Sequence, residues 1–325
     1  MKLVKKILNK FRGLHYPQEY LCFAKESFQN PLHVYLVDKG QVIKDITNEH
    51  LFTGYSPLIF TLNSVASNNP ELSATINIIF SQQPLQQDEF PEKKDAIARL
   101  SLKMIRKQPA GDTAIFYYEA IKGEHRFLSS FHQFIFGLTN RLYNKKAGNI
   151  FLPGNLYKQV QIAYSVPRII SLVTVKDGGL NNLFPTDLHG HVNEHYYIIS
   201  LRHDGKACKQ VEAAGRIVVS QMHCEAYKTV YALGKNHMQE LKPKENFAFS
   251  ESLSTMFQLP LPQSVLYYRE LDLKESFVHG IHKLMLFKVA SSKSVSNEPA
   301  TLAHIHNSYA TWRHNKGLSG NYLLR

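Results

Sequence analysis

Apolar residues in this chain come in short runs, and none approaches the roughly 20 consecutive positions that a helix needs to cross a bilayer. The longest, such as Arg168 to Val175, have the length of a strand. Turn formers punctuate them: Leu32 to Val37 runs into Asp38-Lys39-Gly40, and Pro57 to Leu62 and Thr75 to Phe80 follow. The pattern predicts a mainly β protein with some α and no transmembrane segment. With 325 residues, 44% of them hydrophobic and with 17 Tyr and 19 Phe, there is enough apolar material for two ordinary domains.

A polar stretch from Ser81 to Lys94, rich in Gln, Asp, Glu and Pro, reads as a long surface loop. Helical spacing is read next from Asp95 through Lys107, and again from Arg126 to Tyr143. The segment Lys145 to Pro153, with Gly148 and Gly154 nearby, marks a domain boundary. Residues 1–150 then form a β-rich α+β N-terminal domain, 151–295 a second domain and 296–325 a tail. In the second domain Arg168 to Val175, Tyr196 to Leu201, Arg216 to Gln221, Val265 to Leu273 and Lys283 to Val289 are strand candidates, with one helical stretch, Ala207 to Ala214. Five or six strands suit a small closed barrel, because closure removes unpaired edges. A weak echo joins the halves. Pro57 to Leu62 is like Tyr196 to Leu201, and Tyr117-Tyr118-Glu119 with Gly123-Glu124-His125 is like Tyr267-Tyr268-Arg269-Glu270 with Gly280-Ile281-His282. A degenerate second barrel and chance likeness between β-rich segments both fit it.

At the N-terminus Lys5, Lys6 and Lys10 interrupt what would be the apolar core of a signal peptide, and no small-residue cleavage site follows. Leu3, Val4, Ile7, Leu8 and Phe11 lie on one side of a helix, a face suited to an acidic membrane surface or, more simply, to docking on its own domain. Three cysteines, Cys22, Cys208 and Cys224, form no CxxC pair and fit a reducing, cytoplasmic compartment. The formal charge of +12 favours anionic partners, yet the Lys and Arg residues are scattered and form no nucleic-acid motif.

Three segments carry chemistry. The first, Gly179-Leu180-Asn181-Asn182-Leu183-Phe184-Pro185-Thr186-Asp187, combines turn formers, amides and a Pro that fixes an extended path with exposed backbone donors. In the second, Ser200-Leu201-Arg202-His203-Asp204-Gly205-Lys206-Ala207-Cys208 leads into Gly215-Arg216-Ile217-Val218-Val219-Ser220, a strand end, turn and helix followed by a strand. The third is Gly280-Ile281-His282 running into Lys283-Leu284-Met285-Leu286-Phe287-Lys288-Val289. In this order the three resemble the G-x-x-N-x-x-P-x-S, K-D-T with G-x-F-V-V-N, and G-D-H-x-I-x-x-G-E-V motifs of flavin-reductase-like FMN-binding proteins. Asn182, Pro185, Gly280, His282 and Val289 match. Asp187, Cys208, Ser220, Phe287 and Lys288 depart from the pattern.

The resemblance covers about residues 164–289 and implies a split β-barrel of the FMN-binding type there. It implies FMN as cofactor and NAD(P)H as a possible co-substrate, with hydride passing from nicotinamide to flavin. The segment Asn182 to Asp187 and the strand around Ser220 and Gln221 would face the flavin ring. Arg202 and Lys206 would hold the phosphate, where a helix N-terminus and cations are physically apt, Ser200 and Cys208 would also line the cofactor site, and His282 would orient hydride donor or substrate. A homodimer is implied, or an internal pseudo-dimer if the first half is a degenerate barrel. Two rival readings stand beside it: binding of flavin or another cofactor without turnover, and a metal site in the cluster Asp187-Leu188-His189-Gly190-His191-Val192-Asn193-Glu194-His195.

Overall fold

The computed structural model describes residues 2–16, 20–24, 32–49, 51–63, 72–111, 113–143, 150–297 and 301–318. Helix α1 (Lys2–Phe11) and strand β1 (Tyr20–Ala24) precede a seven-stranded antiparallel sheet. Its strands are β2 (His33–Asp38), β3 (Gln41–Asp45), β4 (Leu51–Tyr55), β5 (Leu58–Asn63), β6 (Thr75–Ser81), β7 (Ala96–Ala110) and β8 (Thr113–His125), in the spatial order β3-β2-β6-β7-β8-β5-β4. Helices α2 (Ser130–Tyr143) and α3 (Asn155–Ala163) follow.

The second sheet is built from β10 (Ser171–Asp177), β11 (Leu180–Thr186), β12 (His189–His191), β13 (Tyr196–Arg202), β14 (Arg216–Met222), β18 (Val265–His279) and β19 (His282–Ser294), after the short β9 (Arg168–Ile169). Helix α4 (Lys206–Ala214) joins β13 to β14. Between β14 and β18 the chain adds α5 (Tyr227–Ala232), a 3-10 turn at Leu233–Met238, β15 (Lys242–Pro243), β16 (Phe249–Leu253) and β17 (Pro260–Pro262). Strand β20 (Thr301–Ile305) and helix α6 (Asn307–Asn315) close the described chain. The spatial order is β12-β13-β19-β18-β14-β10-β11-β15.

Leaving out the inserted β15 and counting strands within each half, both sheets read second, first, fifth, sixth, seventh, fourth, third. The first echo noted in the sequence falls on equivalent strands, β5 and β13. The second does not, because Tyr117 lies on the seventh strand of its half and Tyr267 on the sixth.

One expected element is corrected. The stretch from Asp95 to Lys107 is strand β7, not a helix, and its side chains alternate: Ala96, Ala98, Leu100 and Leu102 are buried while the residues between them are not. That is period two, which places every second residue on the core face. The loop expected over 81–94 separates β6 from β7, and α2 lies within the second helical stretch.

The two halves share material. Ile162, Ala163 and Val166, and from the tail Ala303, Ile305, Tyr309 and Trp312, are buried in the core of the first sheet together with Phe60, Phe80 and Tyr118. Tyr309 stacks on Trp312 with ring centroids 5.6 Å apart, so the tail aromatics pack against the first sheet. Strand β20 pairs with β1 on one side and β9 on the other. A second core, with Val173, Phe184, Ile199, Val219 and Phe287, lies under α4. No helix among the described residues is long and apolar enough to cross a membrane.

Candidate functional site

Strand β11 carries Asn182 to Thr186 and pairs along its length with β10, from Ser171 opposite Thr186 to Asp177 opposite Leu180. Its outer neighbour β15 covers only Leu180 and Asn181. The remaining outer edge is taken by the turn at 233–238. Asn236 donates from its side chain to the Leu183 carbonyl at 2.8 Å, and His237 Nε2 donates to the Pro185 carbonyl at 2.6 Å. Asn182 is fixed in return, donating to Gln210 Oε1 at 2.7 Å and to the Asn236 carbonyl at 3.1 Å. The His237 ring tilts over Phe184, with centroids 4.9 Å apart. Burial draws its pKa down despite the bond to Pro185.

Asp187, just beyond β11, is engaged as well. Burial alone would raise its pKa, but the bond with His304 at 3.1 Å and the charge of Arg168 hold the carboxyl well below the usual range. Arg168 donates to the Asp187 carbonyl at 3.1 Å and also reaches the Phe52 carbonyl of the first sheet.

The phosphate candidates sit where β13 turns into α4. Gly205 caps the helix in extended geometry without a side-chain bond, and no acidic residue occupies the first turn, which suits an anion at the free N–H groups. Arg202 holds Asp204 at 2.7 and 3.1 Å, and Lys206 pairs with Glu240 at 2.5 Å. Both cations are partly exposed, so these pairs are weak and exchangeable. Cys208 does not belong to this group. It points into the core beside Val211 and Ile217, and desolvation pushes its thiol up to about 11.

Next to Arg202 in the β13–β19 ladder stands His282. It is buried. Its Nε2 accepts the Tyr55 backbone N–H at 3.3 Å, which leaves Nδ1 to donate to Ser200 Oγ at 3.1 Å. Burial, with the charge of Arg202, pulls its pKa to about 4, so the ring is neutral. Tyr55, the last residue of β4 in the first sheet, stands edge-on to the imidazole, 4.7 Å between centroids.

The expected residues therefore divide. Arg202 and Ser200 meet His282 at one end of β13 and β19 beside Tyr55, Lys206 opens α4 next to them, and the 233–238 turn, which rests on β11 at Asn182 to Pro185, reaches Gly205 at the start of that helix. Asp187 and Gln221 line a cleft of about 240 Å³ between the sheets, together with His189, His191 and Arg269. Ser220 is buried, and its hydroxyl has no hydrogen-bond partner among the described residues. Sequence reasoning missed Tyr55, Asn236 and His237, because their approach depends on the pairing of two sheets and on an insertion with no periodicity.

The histidine cluster does not gather as a metal centre. His189 bonds the Tyr197 hydroxyl at 2.5 Å and the Ile169 carbonyl at 3.1 Å, and His191 stands edge-on to Tyr197. Among the described residues no three of His, Cys, Asp and Glu come together to hold a metal ion.

For FMN the two ends of this region differ. The α4 N-terminus fits a phosphate, whereas the edge of β11 that would meet the ring already bonds the 233–238 turn.

No family model matches the chain, and no curated protein matches it. Among solved structures it is similar to the FMN-binding protein from Thermus thermophilus with bound 1-cyclohex-2-enone, at 18% identity and a TM-score of 0.38 over 46% of this chain and 79% of that one. It is similar to the NADH:FAD oxidoreductase of Streptomyces globisporus at 14% identity and a TM-score of 0.41, over 50% of this chain and 95% of the other. A putative flavin reductase from Haemophilus somnus is similar at 15% identity and a TM-score of 0.38, covering 46% and 94%.

Proposed function

We propose that the chain is an FMN-binding, flavin-reductase-like protein whose second sheet is a split barrel and whose first sheet is a degenerate copy of it, the two paired as an internal pseudo-dimer. The observation that carries this reading is that Arg202 and His282 pair beside the start of α4, while the 233–238 turn bridges that helix start to β11 at Asn182 to Pro185. The phosphate would sit at the α4 N-terminus with Arg202 and Lys206, which would exchange Asp204 and Glu240 for it. The ring would lie along β11 after the 233–238 turn has moved off it. Positioning is what these residues would contribute to hydride transfer from NAD(P)H.

A second reading, binding without turnover, draws support from His282. Both of its nitrogens are engaged inside the protein, so it has no free atom for a nicotinamide. Titrating the purified chain with FMN and following flavin absorbance and fluorescence tests binding, and consumption of NADH or NADPH by the loaded protein separates the two readings. Failure to retain FMN at micromolar concentrations would sink both.

A further inference from the structure

Helix α2 is apolar on two faces. Phe136 turns inward and is buried with Leu14 and Leu128. Phe131, Phe134 and Leu138, at spacing i, i+3 and i+7, form a second stripe that is exposed at 65%, 64% and 46%. Phe134 and Leu138 continue with Phe151 along a groove of about 410 Å³ between α2 and α3. Three large side chains on one helical face left in water is unusual for a monomeric surface and marks an interaction site.

The groove opens at Ser130, Gln133 and Lys158 into a second cleft of about 570 Å³ at the start of β7 and the end of β8. Its wall carries five cations, Lys93, Arg99, Lys122, Arg126 and Lys158, against one carboxylate, Glu124. Glu124 is spoken for by Lys122 at 2.8 Å, and Lys93 and Arg99 lie close enough to help hold its pKa below the usual range. A strip of positive charge thus borders the apolar stripe.

Arg12 lies over the Phe136 ring at 4.2 Å and Gly13 abuts the His132 ring, so the end of α1 packs against the inward side of α2 and leaves the outer stripe uncovered. Exposed aromatics on a helix face, bordered by cations in a chain of net charge +12, match the two requirements of an anionic bilayer surface: apolar side chains to enter the headgroup boundary and cations to meet lipid phosphates.

We propose that α2, with Phe151, is a docking face for an anionic lipid bilayer, on which Phe131, Phe134 and Leu138 enter the interface and the Lys93–Lys158 cleft takes lipid phosphates. This face is separate from the β11–α4 region, and its use does not depend on flavin.

Co-sedimentation of the full chain with phosphatidylcholine vesicles, with and without phosphatidylglycerol, tests it. Binding is expected only with phosphatidylglycerol. The Phe131→Ser/Phe134→Ser variant, which keeps the net charge and loses no core contact, should bind at least about tenfold more weakly. Lys122→Ala and Lys158→Ala should each weaken binding about fivefold. In Phe134→Trp the emission should shift to the blue and be quenched by brominated acyl chains, since the native Trp312 is buried on the first sheet. Unchanged binding of the double Ser variant would reduce the effect to general attraction by the chain's charge and overturn the proposal. Absence of binding to phosphatidylglycerol would overturn it too, as would a dimer in solution that the double Ser variant dissolves, because the face would then belong to a second copy of the chain.

Discussion

Tyr55 of the first sheet donates its backbone N–H to Nε2 of His282 in the second, at 3.3 Å. Beside this bond Ile281 donates to the Ser56 carbonyl at 3.1 Å, and Gly280, at φ +58°, lies so close to the β4–β5 turn that an added Cβ would stand 2.2 Å from Pro57 Cδ. Gly280→Ala should therefore cost about 2–4 kcal/mol through left-handed strain and the clash with Pro57. Urea unfolding measures it, and a midpoint equal to that of the unaltered chain would mean that the two sheets do not press together here.

Acid should destabilise the fold over a defined range. His125, His189 and His282 are buried and held to about 4, chiefly by desolvation, against 6.5 for the free side chain. The unfolded chain thus binds more protons between those values. This contribution is fully present above about pH 6.5 and is lost as pH falls toward 4, on the order of 3 kcal/mol per histidine before relaxation. Melting temperatures across pH 7 to 4 should fall steadily, and a flat profile would contradict the burial of these rings.

If FMN binds as proposed, Arg202→Ala and Lys206→Ala should each weaken it about tenfold while leaving riboflavin, which lacks the phosphate, unaffected. Asp204→Asn frees Arg202 from its carboxylate and should tighten FMN. Equal losses for FMN and riboflavin would place the phosphate elsewhere.

The turn at 233–238 should compete with the ring. His237→Ala removes the bond to the Pro185 carbonyl and the cover over Phe184, and should raise flavin affinity several-fold in the same titration. A weaker complex would make His237 part of the binding surface.

Cys208 should resist thiol reagents in the native state. Its thiol is buried and pushed up to about 11, so almost no thiolate is present at neutral pH. Labelling followed by mass spectrometry should find Cys208 modified only after denaturation.

Much of the second sheet was legible because its strands are continuous apolar runs bounded by turns: β13, β14, β18 and β19 all lie where those runs predict. β7 was misread because Ala96, Ile97, Ala98 and Leu100 satisfy helical and alternating spacing alike, and pairing with β6 and β8 decides between them. The candidate site residues were legible only as positions on strands and turns. What the sequence could not disclose is that Asp187 is taken by His304, 117 residues on, or that Asn236 and His237 fold back over β11. Those contacts join distant segments, and no local pattern reports them.

Two sheets of one strand order in a single chain also alter what a substitution can do. In a symmetric pair every change appears twice, so a residue that fits one copy must fit the other. Here Tyr55 and His282 face each other once only, and the first sheet can carry helices, an apolar stripe and a basic cleft that the second never has to accommodate. Two sheets in one chain need not match, and here the first is bordered by the exposed stripe of α2 and the basic cleft at the start of β7.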